Sequence, residues 1–191
     1  MSHLRSLPAD AALLRVFQAY PRTARPLIEF HEVLMRGSSP FTVAERELMA
    51  AFVSGLNECG YCGGVHTATA EAFGVPAGVL AAAVADLGTA PVGERLRPVL
   101  AYLRQLTIAP ARLTEADADA VFAAGWDDRA LHDAVLVGAL FNFMNRMVDG
   151  LGIQADKSYF ATSADRLHRD GYAGLAALLA DQDEPPLGPA D

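Results

Sequence analysis

Apolar positions recur at helical spacing along most of the chain. Leu13, Leu14, Val16 and Phe17 follow Pro8, which suits a first helical turn, so a short helix is expected over residues 8–19. The pattern resumes after Tyr20-Pro21 through Leu27, Ile28, Phe30, Val33 and Leu34, and stops at Gly37 before a Ser38-Ser39-Pro40 loop. His31 reads as a partly exposed histidine of that helix, since nothing near it in sequence pairs with it. Thr42 with Glu45 three residues on is a capping box and predicts a helix from Val43. Another helix is expected over residues 59–73, ended by Gly74, with Pro76 restarting one as far as Asp86. Residues 92–106 read as helical, and Pro98 either kinks that helix or marks its true start. Thr114 caps a helix that reaches Gly125, and the most apolar helix, expected to be central, covers residues 129–148.

Residues 131–147 are apolar nearly all round, which implies burial in the domain or at a subunit contact. Asn142, Asn145, Arg146 and Asp149 fall within the last two turns, too costly for a bilayer centre and too close together for two flanks, so no membrane span is expected. Asn142 and Asn145 either line a cavity or hydrogen-bond the backbone of a neighbouring helix. Residues 158–169 and 172–180 look like short closing helices. The stretch 181–191, with three prolines and four acids, is expected to be a disordered acidic tail. A faint echo, Ser54-Gly55-Leu56-Asn57 against Ala139-Leu140-Phe141-Asn142, fits two related helix pairs.

Few segments show strand alternation or β-branched richness, so the fold class expected is all-α, one domain over residues 1–180 of a 191-residue chain. A net charge of −8 argues against a nucleic-acid partner, because phosphate binding needs a basic surface. No basic segment followed by an apolar run opens the chain, so no signal peptide is expected and a cytoplasmic location follows. The two cysteines are spaced as a redox pair, which suits a reducing compartment better than a structural disulfide framework.

The chemistry concentrates in residues 47–66. Cys59 and Cys62 are three apart, close enough on a helix, at about 5 to 6 Å between Cα atoms, to cycle between dithiol and disulfide. His66 lies four beyond Cys62, on the same face, so the two are expected to touch. Glu47 would be about 18 Å from Cys59 along one continuous helix. A turn at Asn57-Glu58 or at Gly60 instead makes an αα-hairpin that brings Glu47 level with His66, giving a carboxylate, imidazole and thiol series. In that series His66 activates Cys62, lowering its pKa from about 8.5 to about 7, and Glu47 orients His66. Gly60, Gly63 and Gly64 point to close backbone approach, to room for substrate beside the thiols, or simply to loose packing.

These residues resemble the alkylhydroperoxidase D (AhpD-like) and carboxymuconolactone decarboxylase superfamily: a glutamate twelve before a C-x-x-C, and a histidine four after its second cysteine. The helix ending FNFMNRMVDGLGI is similar to its peroxidase-related branch. The resemblance covers about residues 21–153 and implies an AhpD-like helical domain and a thiol-dependent hydroperoxide reductase. Cys62 would then be the attacking cysteine, Cys59 the resolving one, and His66 and Glu47 catalytic helpers. Familiar members carry a second histidine between the cysteines where this chain has Tyr61, a poor base near neutrality that can still donate a hydrogen bond; Tyr61 and Asn142 are expected to support the catalytic residues from behind. The partners implied are a hydroperoxide and an external dithiol reductant of dihydrolipoamide type, in a homo-oligomer. No cofactor is expected, since no G-x-G-x-x-G follows a strand. Competing readings are a zinc site on Cys59, Cys62, His66 and Glu47, a non-enzymatic redox sensor, and the superfamily's acid-base decarboxylation, which needs no thiol pair.

Overall fold

The computed structural model describes residues 2–179, and every regular element among them is helical. In chain order these are α1 (Leu13–Ala19), α2 (Pro21–Arg36), α3 (Val43–Leu56), α4 (Gly60–Ala72) and α5 (Val79–Ala85). There follow α6 (Arg97–Ile108), a 3-10 turn (Pro110–Arg112), α7 (Glu115–Ala123), α8 (Asp128–Gly150), α9 (Lys157–Asp170) and α10 (Ala173–Ala177). The all-α architecture is as the sequence implies; the tail expected over residues 181–191 lies outside the described residues. No helix among the described residues is long and apolar enough to cross a membrane.

Caps explain most boundaries. The Thr42 amide donates to Glu45 Oε2 at 2.8 Å and the Glu45 amide to Thr42 Oγ1 at 3.2 Å, so α3 starts where the capping box places it. Asp127 and Asp156 accept from the amides of Ala130 and Tyr159, both at 2.9 Å, and open α8 and α9. Pro98 belongs to the first turn of α6, so it marks a start and no kink. Two starts differ from expectation. Pro8 lies in a turn closed by the Ala11 amide on Pro8 O, and the helix begins five residues later. Gly78, at φ +85°, caps α5, so Pro76 precedes that helix rather than opening it.

The hairpin that carries the thiols closes in three residues. Glu58 adopts a left-handed conformation at φ 57°, rare for a residue with a Cβ, and the Cys59 amide returns to Ser54 O at 3.0 Å. The turn is therefore at Asn57-Glu58, with Cys59 as the N-cap of α4. From there α4 runs back along α3 and is covered on its other side by α9.

The central helix is α3, not α8 as its apolarity suggested. Every residue of α3 from Arg46 to Ser54 is buried, whereas α8 buries one face through Ala134, Val137, Phe141, Met144 and Val148 and leaves Phe143 52 % exposed. Two charges of α3, Arg46 and Glu47, are internal: Arg46 donates to the carbonyls of Leu34 and Gly37 at 2.7 and 2.9 Å, tying down the end of α2. Asn142 and Asn145 also serve the hairpin. Asn57 Nδ2 donates to the side-chain oxygens of both, at 3.1 and 2.8 Å, and Asn145 Nδ2 donates to Ser54 Oγ at 2.9 Å. Their bonds run mainly to side chains of the neighbouring helix, not to its backbone.

The three glycines separate. A Cβ on Gly64 would stand 2.3 Å from the Phe160 ring, so this glycine lets α9 approach α4; a Cβ on Gly63 meets nothing within 4 Å. Overpacking costs about 1–3 kcal/mol, more than the roughly 1 kcal/mol of helix propensity alanine brings. Gly64→Ala should therefore lower stability by about 1 kcal/mol and Gly63→Ala raise it by up to about 1 kcal/mol. Urea denaturation midpoints check the pair of opposite signs.

Candidate active site

Behind the thiols lies a buried chain of charge. Glu47, 0 % exposed on α3, bonds His66 of α4 through Oε2 and Nδ1 at 2.7 Å and pairs with Arg36 of α2 through Oε1 at 2.6 Å. Burial alone would raise the Glu47 carboxyl, but His66 and Arg36 outweigh it and hold the group below the usual carboxylate range. Since a carboxylate only accepts, His66 Nδ1 donates, and Nε2 is the ring nitrogen left for chemistry. Arg36 is itself held by Leu167 O at 3.2 Å and lies 5.0 Å from the Tyr172 ring centre.

His66 faces a narrow, mainly apolar cavity of about 60 Å³ shared with Cys62, Tyr61 and His31. The wall comes from α1, α2, α4, α8, α9 and the start of α10, the last two contributing Tyr159, Ser163 and Tyr172. Tyr61 donates its hydroxyl to Tyr159 at 2.9 Å, and burial raises its pKa, so it is a phenol held away from base chemistry. Asn142 does not line the cavity; Asn145 is the asparagine that reaches the Cys62 thiol.

Both cysteines are buried free thiols, and they interact first with each other. The thiol hydrogen bond from Cys62 lowers the Cys59 pKa against the cost of burial, helped by the Cys62 amide at the start of α4. The same bond, with burial added, raises Cys62. The two sulfurs thus share one hydrogen bond and titrate together, and Cys62 is the one that faces the cavity. Cys62 and His66 line one cavity with no hydrogen bond between them among the described residues, and the Cys62 pKa is raised where the sequence led to the expectation of a lowered one. Likewise no group of three or more His, Cys, Asp or Glu side chains among the described residues is arranged to hold a metal ion.

Sequence reading missed His31, Arg36 and Tyr172. His31 is 4 % exposed, not partly exposed, and donates Nδ1–H to Leu27 O at 2.7 Å. A signal was present: Ala24, Ile28, His31 and Met35 repeat at four, three and four residues and form the buried stripe of α2. Arg36 and Tyr172 had none, because a loop parts Arg36 from Glu47 and Tyr172 lies 141 positions from His31.

The carboxymuconolactone decarboxylase family matches the chain over residues 21–105. Among solved structures, an uncharacterized peroxidase-related protein from Silicibacter sp. TM1040 shares 26 % identity, with 78 % of each chain covered and a TM-score of 0.72. An uncharacterized peroxidase-related protein from Ralstonia eutropha JMP134, described as an alkylhydroperoxidase AhpD core, has the same fold at 24 % identity, 78 % of each chain and a TM-score of 0.71. No curated protein matches.

Burial lowers the His31 pKa from 6.5 to about 4. Between these values the unfolded chain binds a proton that the folded chain refuses, so stability is present above pH 6.5 and is lost as pH falls toward 4. The shift corresponds to about 3 kcal/mol across the window, of which roughly 2 is gone by pH 5. Urea titrations at pH 7 and pH 5 should show this loss in the wild type, and a loss smaller by about 2 kcal/mol in His31→Phe.

Proposed function

Since the chain belongs to the AhpD-like and carboxymuconolactone decarboxylase superfamily, in its peroxidase-related branch, we propose that it is a thiol-dependent hydroperoxide reductase that cycles through a Cys59–Cys62 disulfide. One observation carries the reading: of two hydrogen-bonded thiols, Cys62 lines a narrow, mainly apolar cavity that also holds His66, while Cys59 stands behind it at the helix cap.

The pair titrates as a unit. One proton leaves for His66 Nε2, forming an imidazolium that Glu47 stabilises, and the other remains between the sulfurs. The charge rests on Cys59 and passes to Cys62 by a shift of that shared proton along one hydrogen bond. Cys62 then attacks the outer oxygen of the hydroperoxide; the O–O bond breaks, Cys62 becomes a sulfenic acid, and the alkoxide recovers its proton from His66. Cys59 displaces water from the sulfenic acid, closing the disulfide. A dithiol of dihydrolipoamide type supplies the two electrons and two protons that reopen it. Arg36 keeps Glu47 ionised throughout.

A homo-oligomer is part of the proposal. A groove beside α8 lined by Leu27, Phe143, Met147 and Leu151, with Phe143 half exposed, offers apolar surface to a second copy. Light scattering at micromolar concentration should give a multiple of 20.2 kDa; a stable monomer would reject this part.

The activity itself is tested by peroxide consumption with dihydrolipoamide as donor. Cys62→Ala should consume nothing above background. Cys59→Ala should consume one equivalent and stop with a sulfenate that dimedone traps. Turnover by Cys62→Ala at the wild-type rate would sink the reading, and one stoichiometric reaction of the wild type without turnover would make the pair a sensor.

A further inference from the structure

Two polar groups on the cavity wall have no task in the thiol chemistry. His31 spends its Nδ1–H on Leu27 O, so the neutral ring carries a bare Nε2, and its ring is fixed edge-on against Phe141 and tilted at 5.0 Å against Tyr172. Tyr172 is 5 % exposed, and its hydroxyl is buried with no hydrogen-bond partner among the described residues. A buried hydroxyl without a partner is unusual enough to require a reason. The segment that holds it is not loose. Glu32 Oε2 accepts from the amides of Tyr172 and Ala173 at 2.7 and 3.0 Å, tying Tyr172 to the helix that carries His31 and Arg36. The two rings, 5.0 Å apart, both line the cavity that contains Cys62 and bring to it one donor and one acceptor, the complement of the two oxygens of a hydroperoxide.

We propose that His31 and Tyr172 are the peroxide-binding pair of this cavity: His31 Nε2 accepts the O–H of the outer oxygen, turning that oxygen toward Cys62, while the Tyr172 hydroxyl donates to the inner oxygen. Attack by Cys62 breaks the O–O bond, leaves the hydroxyl on sulfur as the sulfenic acid, and places the developing alkoxide on the Tyr172 hydrogen bond. His66 then returns the proton, so that alcohol leaves and Tyr172 stays a phenol. The inference rests on the proposed peroxidase reading and adds the groups that orient the substrate, neither of them part of the thiol motif. It also defines the ligand: the oxygen offered to Cys62 must carry a hydrogen.

The test is single-turnover sulfenate formation with tert-butyl hydroperoxide in the Cys59→Ala background, alone and combined with Tyr172→Phe or His31→Phe. Tyr172→Phe removes an atom that nothing among the described residues bonds, so its thermal unfolding should match the parent while the rate constant falls about a hundredfold, as when an oxyanion donor is removed. His31→Phe keeps the ring contacts and should lower the rate at least about tenfold. Alkylation of Cys62 by iodoacetamide, which presents no peroxide oxygens, should change less than twofold in either variant. Parent-like sulfenate rates in both folded variants would overturn the pair and leave the peroxidase reading standing. Equal losses with peroxide and iodoacetamide would also overturn it, since the effect would then lie in the thiol. Unfolding of Tyr172→Phe would show that the hydroxyl has an internal partner, with the same consequence. A parent that forms no sulfenate with any hydroperoxide overturns both readings.

Discussion

A carboxylate with no access to water can remain ionised only if the protein supplies what water would, and Glu47 sets that condition at the centre of this fold. Its two oxygens are answered from two directions, by Arg36 at the end of α2 and by His66 on α4, so the charge joins three helices. Removing one partner of such a buried pair typically costs about 3–5 kcal/mol, far more than a surface ion pair contributes. The same arrangement fixes the His66 ring and tautomer. Stability and site geometry therefore rest on one interaction, and neither can be altered alone.

The hairpin exists to make that interaction possible. Along a continuous helix Glu47 and His66 would never meet; the three-residue turn, with Glu58 strained into left-handed space, brings them to 2.7 Å. Asn57, Asn142 and Asn145 then hold the turn against α8, which explains why polar residues interrupt an otherwise apolar helix. The residues of the faint sequence echo, Asn57 and Asn142, bond each other, but a contact between them does not establish that the two helix pairs share an origin.

What could be read in the sequence was local or periodic. The capping box at Thr42, the helix-ending Gly74 and the hairpin around Cys59 all depend on residues a few positions apart, and each appears where its chemistry places it. Boundaries set by looser signals moved: Pro8 and Pro76 are compatible with a first helical turn but do not compel one. The site was legible as far as its spacing reached. Arg36 answers Glu47 from another helix, across the Ser38-Ser39-Pro40 loop, where no helical spacing relates the two, and Tyr172 meets His31 across 141 positions. His31 shows the limit of reading by near neighbours: none pairs with it in sequence, yet the heptad spacing of Ala24, Ile28 and Met35 assigns it to the buried face of α2.

The thiol pair separates two properties that one cysteine would have to combine. Cys62 lies within α4, held in the cavity wall, where burial protects it but opposes ionisation. Cys59 is the N-cap, with extended backbone at φ −76° and ψ 96°, so it sees the helix N-terminus and accepts the charge. On the proposed reading the cap position also governs the second half-reaction. A sulfenic acid on Cys62 is fixed by the helix, whereas Cys59 lacks helical restraint on its N-terminal side and can turn its sulfur toward it without unwinding α4. A fixed attacking sulfur and a hinged resolving sulfur let the disulfide form within the narrow cavity, whose width hinders larger thiols from reaching the sulfenic acid before Cys59 does.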